Sequence, residues 1–274
     1  MTLQVTTLSI YPVKALRGLD CSSASIRFWG AEGDRCWVIT QPDGTFITQR
    51  TVPALARVQA HPTATGLVLT CEGSAPCTVT CPASDTPVKT VRVWKDLINA
   101  RDAGDLAADW LTLHTQTACR LMYMHNPDQA RIRTIEQNPV PVSFADGYPL
   151  LIATEASLAD LNARLKQPVP MTRFRPNIVI AGAEPWAEDC WRRLRIGTAI
   201  LRISKPCARC IVTTTDQEYG DIPDKKEPLR TLAKFHRTAE GIMFAQNAIV
   251  EQEGHMTVGD IADVLEEGPS NLLP

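Results

Sequence analysis

The chain has 274 residues, of which 44% are apolar and 21% charged, with a formal net charge of −2. That length serves one large or two modest domains, each with a full core, and the charge balance excludes the global basic field that nucleic acid demands. No stretch approaches the ~20 apolar residues of a membrane span, and Met1–Leu8 has neither a cationic segment nor a long apolar run, so a cytoplasmic protein without membrane attachment is expected.

Short strands dominate the first half. Leu8–Val13, Cys36–Ile39, Thr45–Thr48, Leu67–Leu69 and Val88–Val93 alternate or run apolar, and Pro42-Asp43-Gly44 marks a hairpin turn. The spacing predicts a helix from Asp102 to Leu113 with Leu106, Trp110 and Leu113 on one face and Asp102 as its cap. A polar, proline-bearing stretch from His125 to Pro141 reads as a long connection and as the boundary between two domains, 1–122 and 123–274.

Beyond it, Ser143–Pro149 reads as a turn and Leu150–Ala153 as a short buried strand. Thr154 caps a helix through Leu165, with Leu158, Leu161 and Leu165 as its core stripe and Asp160 with Arg164 as an i,i+4 pair. Arg175 precedes Pro176, which should hold it extended ahead of the strand Ile178–Ile180, and a buried arginine calls for an anionic partner. Leu194–Gly197 and Ala199–Ile203 form a tight hairpin. Phe244–Val250 and Ile261–Leu265, joined through Val258-Gly259-Asp260, complete a strand set able to close a barrel. No glycine-rich phosphate loop, internal repeat or low-complexity tract is present, which disfavours nucleotide folds.

Nine cysteines are scattered unlike a secreted disulfide framework, and most read as small buried hydrophobes. The pair in Lys205-Pro206-Cys207-Ala208-Arg209-Cys210 allows three readings. On an extended chain at ~3.3 Å per residue the two thiols lie on opposite faces ~10 Å apart, and only one faces a site. If Pro206 opens a turn, they converge as half of a zinc knuckle or as a redox pair, although no second ligand pair follows. Charge is concentrated around them: Arg173–Cys210 holds eight basic residues against three acidic, whereas the segment after it holds five against twelve. A soft sulfur among clustered arginines suits a metal carried by an anionic cofactor.

Several blocks resemble one family in order and spacing. They are Ile10-Tyr11-Pro12-Val13-Lys14, Gly33-Asp34-Arg35, Phe46-Ile47-Thr48-Gln49-Arg50, Phe174-Arg175-Pro176-Asn177-Ile178-Val179, Cys207-Ala208-Arg209-Cys210-Ile211-Val212 and Val258-Gly259-Asp260. They are similar to the MOSC-domain family, in the branch of the amidoxime reducing components and their bacterial relatives. The resemblance spans nearly the whole chain. It implies a mainly β fold with flanking helices (α+β), an N-terminal MOSC β-barrel domain packed on a MOSC-type β-barrel.

The same resemblance implies a molybdenum cofactor, Mo-molybdopterin, with Cys210 as metal ligand and Cys207 as a bystander. It assigns cofactor contacts to Lys14, Arg35, Arg175 and Asn177, and by the surrounding motif to Arg209, Gly147, Tyr148, Ala208 and Asn247. The chain departs from relatives at Ala15 and Ala208, where some carry serine, and at Asn247, where some carry tyrosine. Asp146 maps beside the site as a catalytic proton relay, or as a turn cap for Gly147. The implied reaction is a two-electron reduction of a small N-hydroxylated substrate, such as an amidoxime or hydroxylaminopurine, to the amine or amidine and water. A separate ferredoxin or flavoprotein would supply electrons, because no iron–sulfur cysteine run is present. An alternative in the same family is a carrier of cofactor or sulfur without turnover. A zinc-stabilised binding module is a third.

Overall fold

The computed structural model describes residues 2–272. Its largest sheet has nine strands. Eight run in the order Ala262–Glu267, Trp191–Ile196, Ala199–Ala208, Gly241–Gln252, Leu150–Thr154, Ile178–Ala181, Gln4–Ile10 and Leu19–Cys21, and Arg237–Thr238 pairs off that path. Leu150–Thr154 is buried at every residue. It lies parallel to Ile178–Ala181 and antiparallel to Gly241–Gln252, and a strand covered on both faces reads as an uninterrupted apolar run. The expected hairpin forms as Trp191–Ile196 and Ala199–Ala208, with Ile196 opposite Ala199.

The first strand of the chain is built into this sheet, its Val5 and Leu8 opposite Ile180 and Ile178. Gln4 also bridges to Ile261 near the far edge, so the sheet curls until its ends approach. Among the described residues no ladder closes it, and the expected barrels are open sheets. The reason is local: Leu19–Cys21 takes the free side of Leu8–Ile10 and leaves only the start of the strand for that bridge.

A second, five-stranded sheet runs Val88–Val93, Asp96–Asp102, Arg120–Tyr123, Trp37–Thr40 and Val13–Lys14. Thr45–Thr48 contributes bridges from Thr45 and Phe46 instead of a strand. Helix α1 is Asp105–Thr115, starting at Gly104, and the Asp102 carboxylate accepts from Gly104 N instead of capping the helix. Its buried residues are Ala107, Ala108, Leu111 and Thr115, whereas Leu106 and Leu113 are 70% and 65% exposed. Of the expected face, Leu106 and Leu113 lie outward and only Trp110 packs on the core. The small alanines let the helix lie close on Cys77–Thr80 and Arg120–Tyr123.

The stretch His125–Pro141 is not a structureless connection. Ile132–Ile135 and Asn138–Pro141 form a hairpin around Glu136 and Gln137, both left-handed at φ 49 and 67. Two-residue turns of that kind are ordinarily signalled by Asn-Gly, and Glu-Gln hides the signal. Helix α2, Glu155–Ala163, begins as expected: Thr154 Oγ1 accepts from Ser157 N at 3.2 Å, and Arg164 pairs with Asp160. Leu161 is fully buried, with Leu158 and Leu165 packed on its cluster. Helix α3 is the short Leu229–Leu232.

Candidate active site

One cleft of about 860 Å³, its open mouth included, lies where the two sheets meet. Val13–Lys14 ends at its wall, and Lys14, only 8% exposed at its side chain, donates to Asp146 Oδ1. Burial lowers the Lys14 ammonium below its ordinary pKa, and Asp146 partly restores it. Asp146 is 69% exposed at its side chain and also accepts from Trp94 Nε1 at 3.0 Å. Desolvation would raise its carboxyl, but Lys14 and the indole N–H outweigh it and hold the group well below the usual carboxylate range.

Beneath this pair, Arg131 is 4% exposed and donates to the carbonyls of Ser143, Ala145 and Asp146, with Asp96 as its counter-ion. The loop carrying Asp146, Gly147 and Tyr148 is thus held from below by one guanidinium. A Cβ built on Gly147 meets nothing within 4 Å, so the missing side chain leaves open space at the wall.

Tyr11 borders a neighbouring cavity that shares Arg175 with the cleft, and it carries two cations on its ring, Arg175 at 4.2 Å and Arg35 at 4.4 Å. Burial lifts its phenol to about 12, against the pull of both guanidiniums, and its hydroxyl donates to Pro176 O at 3.0 Å. Arg35 is bonded to Asp34, which overrides the cost of burial and keeps its pKa above the ordinary value. Arg175 has no carboxylate partner among the described residues: Nη1 donates to Gln217 Oε1 at 2.9 Å, and burial lowers its pKa to about 10. Nor is it extended, as Pro176 led one to expect. At φ 56 it sits left-handed, just past the 3₁₀ turn Met171–Arg173.

Asn177 is 3% exposed, and its amide is spent on the frame. Nδ2 donates to Ser9 O, while Oδ1 accepts from Leu151 N and, at 3.4 Å, from Arg35. Asn247 donates to Pro206 O at 3.3 Å. Cys210 begins the 3₁₀ turn Ile211–Thr214 that follows the strand Ala199–Ala208. Both Cys207 and Cys210 border the cleft. Arg209 reaches between elements, with Nη1 on Cys207 Sγ at 3.1 Å and Nη2 on Phe174 O at 2.7 Å; its Nε is buried without a partner.

The structure thus brings ten of the eleven expected positions around one cleft: Lys14, Arg35, Asp146, Gly147, Tyr148, Arg175, Asn177, Arg209, Cys210 and Asn247. Ala208 is the exception, exposed on the strand end beside Gly241. Sequence reasoning missed Trp94 and Arg131, and it quoted Tyr11 and Gln49 within motifs without giving them roles. It also missed Gln217, whose amide pairs reciprocally with Gln49 at 2.8 and 3.1 Å. Counted by side chain, the lining holds five cations, Lys14, Arg35, Arg50, Arg175 and Arg209, against one carboxylate.

Four residues of the lining, Ala15, Arg35, Trp94 and Arg175, have positive φ without being glycine. Strained backbone of this kind concentrates at functional sites. A curled β fold with a thiol at the end of a strand and a cationic cleft between two sheets defines a MOSC-type protein. The MOSC domain model matches residues 139–262, and the model of the MOSC N-terminal beta barrel domain matches 2–117.

The chain is 34% identical to human mitochondrial amidoxime-reducing component 1, over 93% of this chain and 81% of that protein. It is 34% identical to component 2 of Bos taurus over the same shares, and 31% identical to component 1 of Xenopus laevis over 93% and 80%. The chain belongs to the MOSC-domain family, in the branch of the amidoxime-reducing components. A solved structure, the YUAD protein of Bacillus subtilis, aligns over 96% of this chain and 94% of its own at 10% identity and a TM-score of 0.41, too loose to support an inference. No helix among the described residues is long and apolar enough to cross a membrane.

Proposed function

We propose that the chain is a molybdenum-cofactor-dependent reductase of N-hydroxylated compounds that takes electrons from a separate ferredoxin or flavoprotein. The observation that carries this reading is the convergence of the Cys210 thiol with five cations and one carboxylate on a single cleft. The relatives' printed names, which specify amidoxime reduction, support the substrate class.

The residues fit a pterin dithiolene bearing a phosphate. Arg175 lacks a carboxylate and Arg209 Nε lacks any partner, and both are donors to which an anion would be the missing acceptor. Space is left at Gly147. Among the described residues no three His, Cys, Asp or Glu converge, so Cys210 would be the single protein ligand to a metal whose other ligands arrive with it. Nine cysteines, all unpaired, suit a reducing, cytoplasmic setting.

When bound, the cofactor would supply the two-electron chemistry at the N–O bond. The chain's part is to hold and orient. Lys14, Arg35, Arg175 and Arg209 would grip the anionic groups, and Asn177 fixes the direction of Arg35. Asp146 stays ionised at neutral pH and steers the Lys14 ammonium. Lys14, whose pKa is lowered by burial, is the readier proton donor of the two.

The test is metal analysis by mass spectrometry with pterin detection, on protein from a cofactor-competent host, followed by reductant-dependent loss of benzamidoxime. Molybdenum near one per chain that disappears in Cys210→Ser, with turnover, is the expected result. Zinc, or neither metal nor pterin, overturns it. Cofactor without turnover, handed on to an apo-acceptor, would make the chain a carrier.

A further inference from the structure

We propose that Trp94 is the platform on which substrate lies and that it selects planar N–C–N compounds, amidoximes and N-hydroxyguanidines, over non-planar hydroxylamines. The proposal rests on the reductase reading and adds to it a specificity determinant. Trp94 is the first turn residue of the hairpin formed by Val88–Val93 and Asp96–Asp102, in which Val93 faces Asp96. Its φ is 56, at a position where two-residue turns take Asn or Gly. A bulky aromatic side chain there is strained, and strain persists where the surroundings hold it.

Three contacts do so: the indole N–H on Asp146, the Phe46 ring at 4.9 Å, and the Arg50 guanidinium over the ring at 4.5 Å. Trp94 nevertheless stays 41% exposed and lines the cleft. Trp94 shares that lining with Cys210 and Val212, and Ile211, next to Cys210 in the chain, is 50% exposed.

Arg50 indicates what fits. Its guanidinium is a planar N–C–N group, and it rests on the indole from an exposed residue that lines the cleft. An N-hydroxyamidine has the same planar core and would take that place, its N–O end directed past Asp146 into the cleft. A hydroxylamine on a tetrahedral carbon has no plane to stack.

The experiment compares cofactor-loaded wild type, Trp94→Ala and Trp94→Phe with benzamidoxime and N-methylhydroxylamine, using excess chemical reductant. It also measures benzamidoxime binding to the oxidised protein by calorimetry, together with molybdenum and pterin content. In Trp94→Ala the ratio of kcat/KM for benzamidoxime to that for N-methylhydroxylamine should fall about tenfold, in KM, with calorimetric affinity falling in parallel. Trp94→Phe, which keeps a ring and loses the bond to Asp146, should recover most of the ratio.

An unchanged ratio overturns the platform. So does a ratio that Phe fails to restore, or a loss that merely follows cofactor content, since each would make Trp94 a support for Asp146. If fully loaded wild type reduces neither compound, the reductase reading fails by itself. Calorimetry then decides the platform alone: weaker benzamidoxime binding in Trp94→Ala upholds it, and no binding to wild type removes it.

Discussion

Cys207 and Cys210 share a cleft but differ in what holds them. The sulfur of Cys207 already accepts from Arg209 and packs on the cluster around Phe174 and Phe244, whereas Cys210 opens the turn that follows the strand. Cys210→Ser should therefore abolish bound molybdenum and activity with the unfolding midpoint unchanged. Cys207→Ser keeps an acceptor for Arg209 and should retain most of both; equal loss from the two would replace a single-ligand site with a paired one. Arg175 makes the opposite trade. Its lowered pKa means that the folded cofactor-free protein disfavours this charge, and Gln217 Oε1 keeps Gln49 as a donor without it. Arg175→Met should raise the urea midpoint of the cofactor-free protein while lowering cofactor occupancy several-fold, as read by metal content. A fall in both would place Arg175 among the structural residues.

At the scale of single elements, the start of α2 holds a buried acid that the site does not use. Glu188, 1% exposed, accepts through Oε2 from Thr154 and Ser157 and leaves Oε1 without a partner. Burial, with Asp189 adding to it, raises its pKa from 4.5 to about 6. A raised carboxyl binds its proton more tightly when folded, so its contribution is present below the unfolded pKa and is lost as pH rises through about 6. The loss is on the order of 2 kcal/mol at ~1.4 kcal/mol per unit. Glu188→Gln should lack that part of the decline in urea midpoint between pH 4.5 and 7; parallel curves for variant and wild type would refute it. The turns hold a second test. Trp94→Gly should be more stable than Trp94→Ala by about 1 kcal/mol, because only alanine carries the left-handed penalty.

These same turns mark where the sequence was hard to read. The Thr154 cap, the Asp160–Arg164 pair, the Gly197 hairpin and the run Leu150–Thr154 were legible because each has a local pattern with a local cause. Left-handed Glu136-Gln137, Trp94 and Arg175 use residues that carry no turn signal, and the face of α1 was decided by where Ala107 and Ala108 fit. The site residues were legible only through family resemblance. Gln217 and Arg131 act through partners 168 and 15 positions away, which no short motif encodes.

At the scale of the molecule, the two halves recognised by separate family models share one structure. The strand Gln4–Ile10 pairs with Ile178–Ala181, and the strand Ser23–Arg27 pairs with Gly254–Thr257. Across the cleft, Lys14 meets Asp146, Arg35 meets Asn177, Tyr11 meets Pro176 and Gln49 meets Gln217. Removing either half would leave sheet edges and buried polar groups without partners, and such groups cost about 1–3 kcal/mol each. The chain should therefore unfold in one calorimetric transition with equal calorimetric and van't Hoff enthalpies, even without cofactor. A ligand gripped by cations from both halves, Lys14 and Arg35 on one side and Arg175 and Arg209 on the other, binds only when the halves are together. Loading should then move that single transition upward, by about 4 kcal/mol of stability at a thousandfold excess over Kd. Two transitions, with only the later-melting half shifted by cofactor, would show instead that the halves fold independently and that one of them holds the ligand alone.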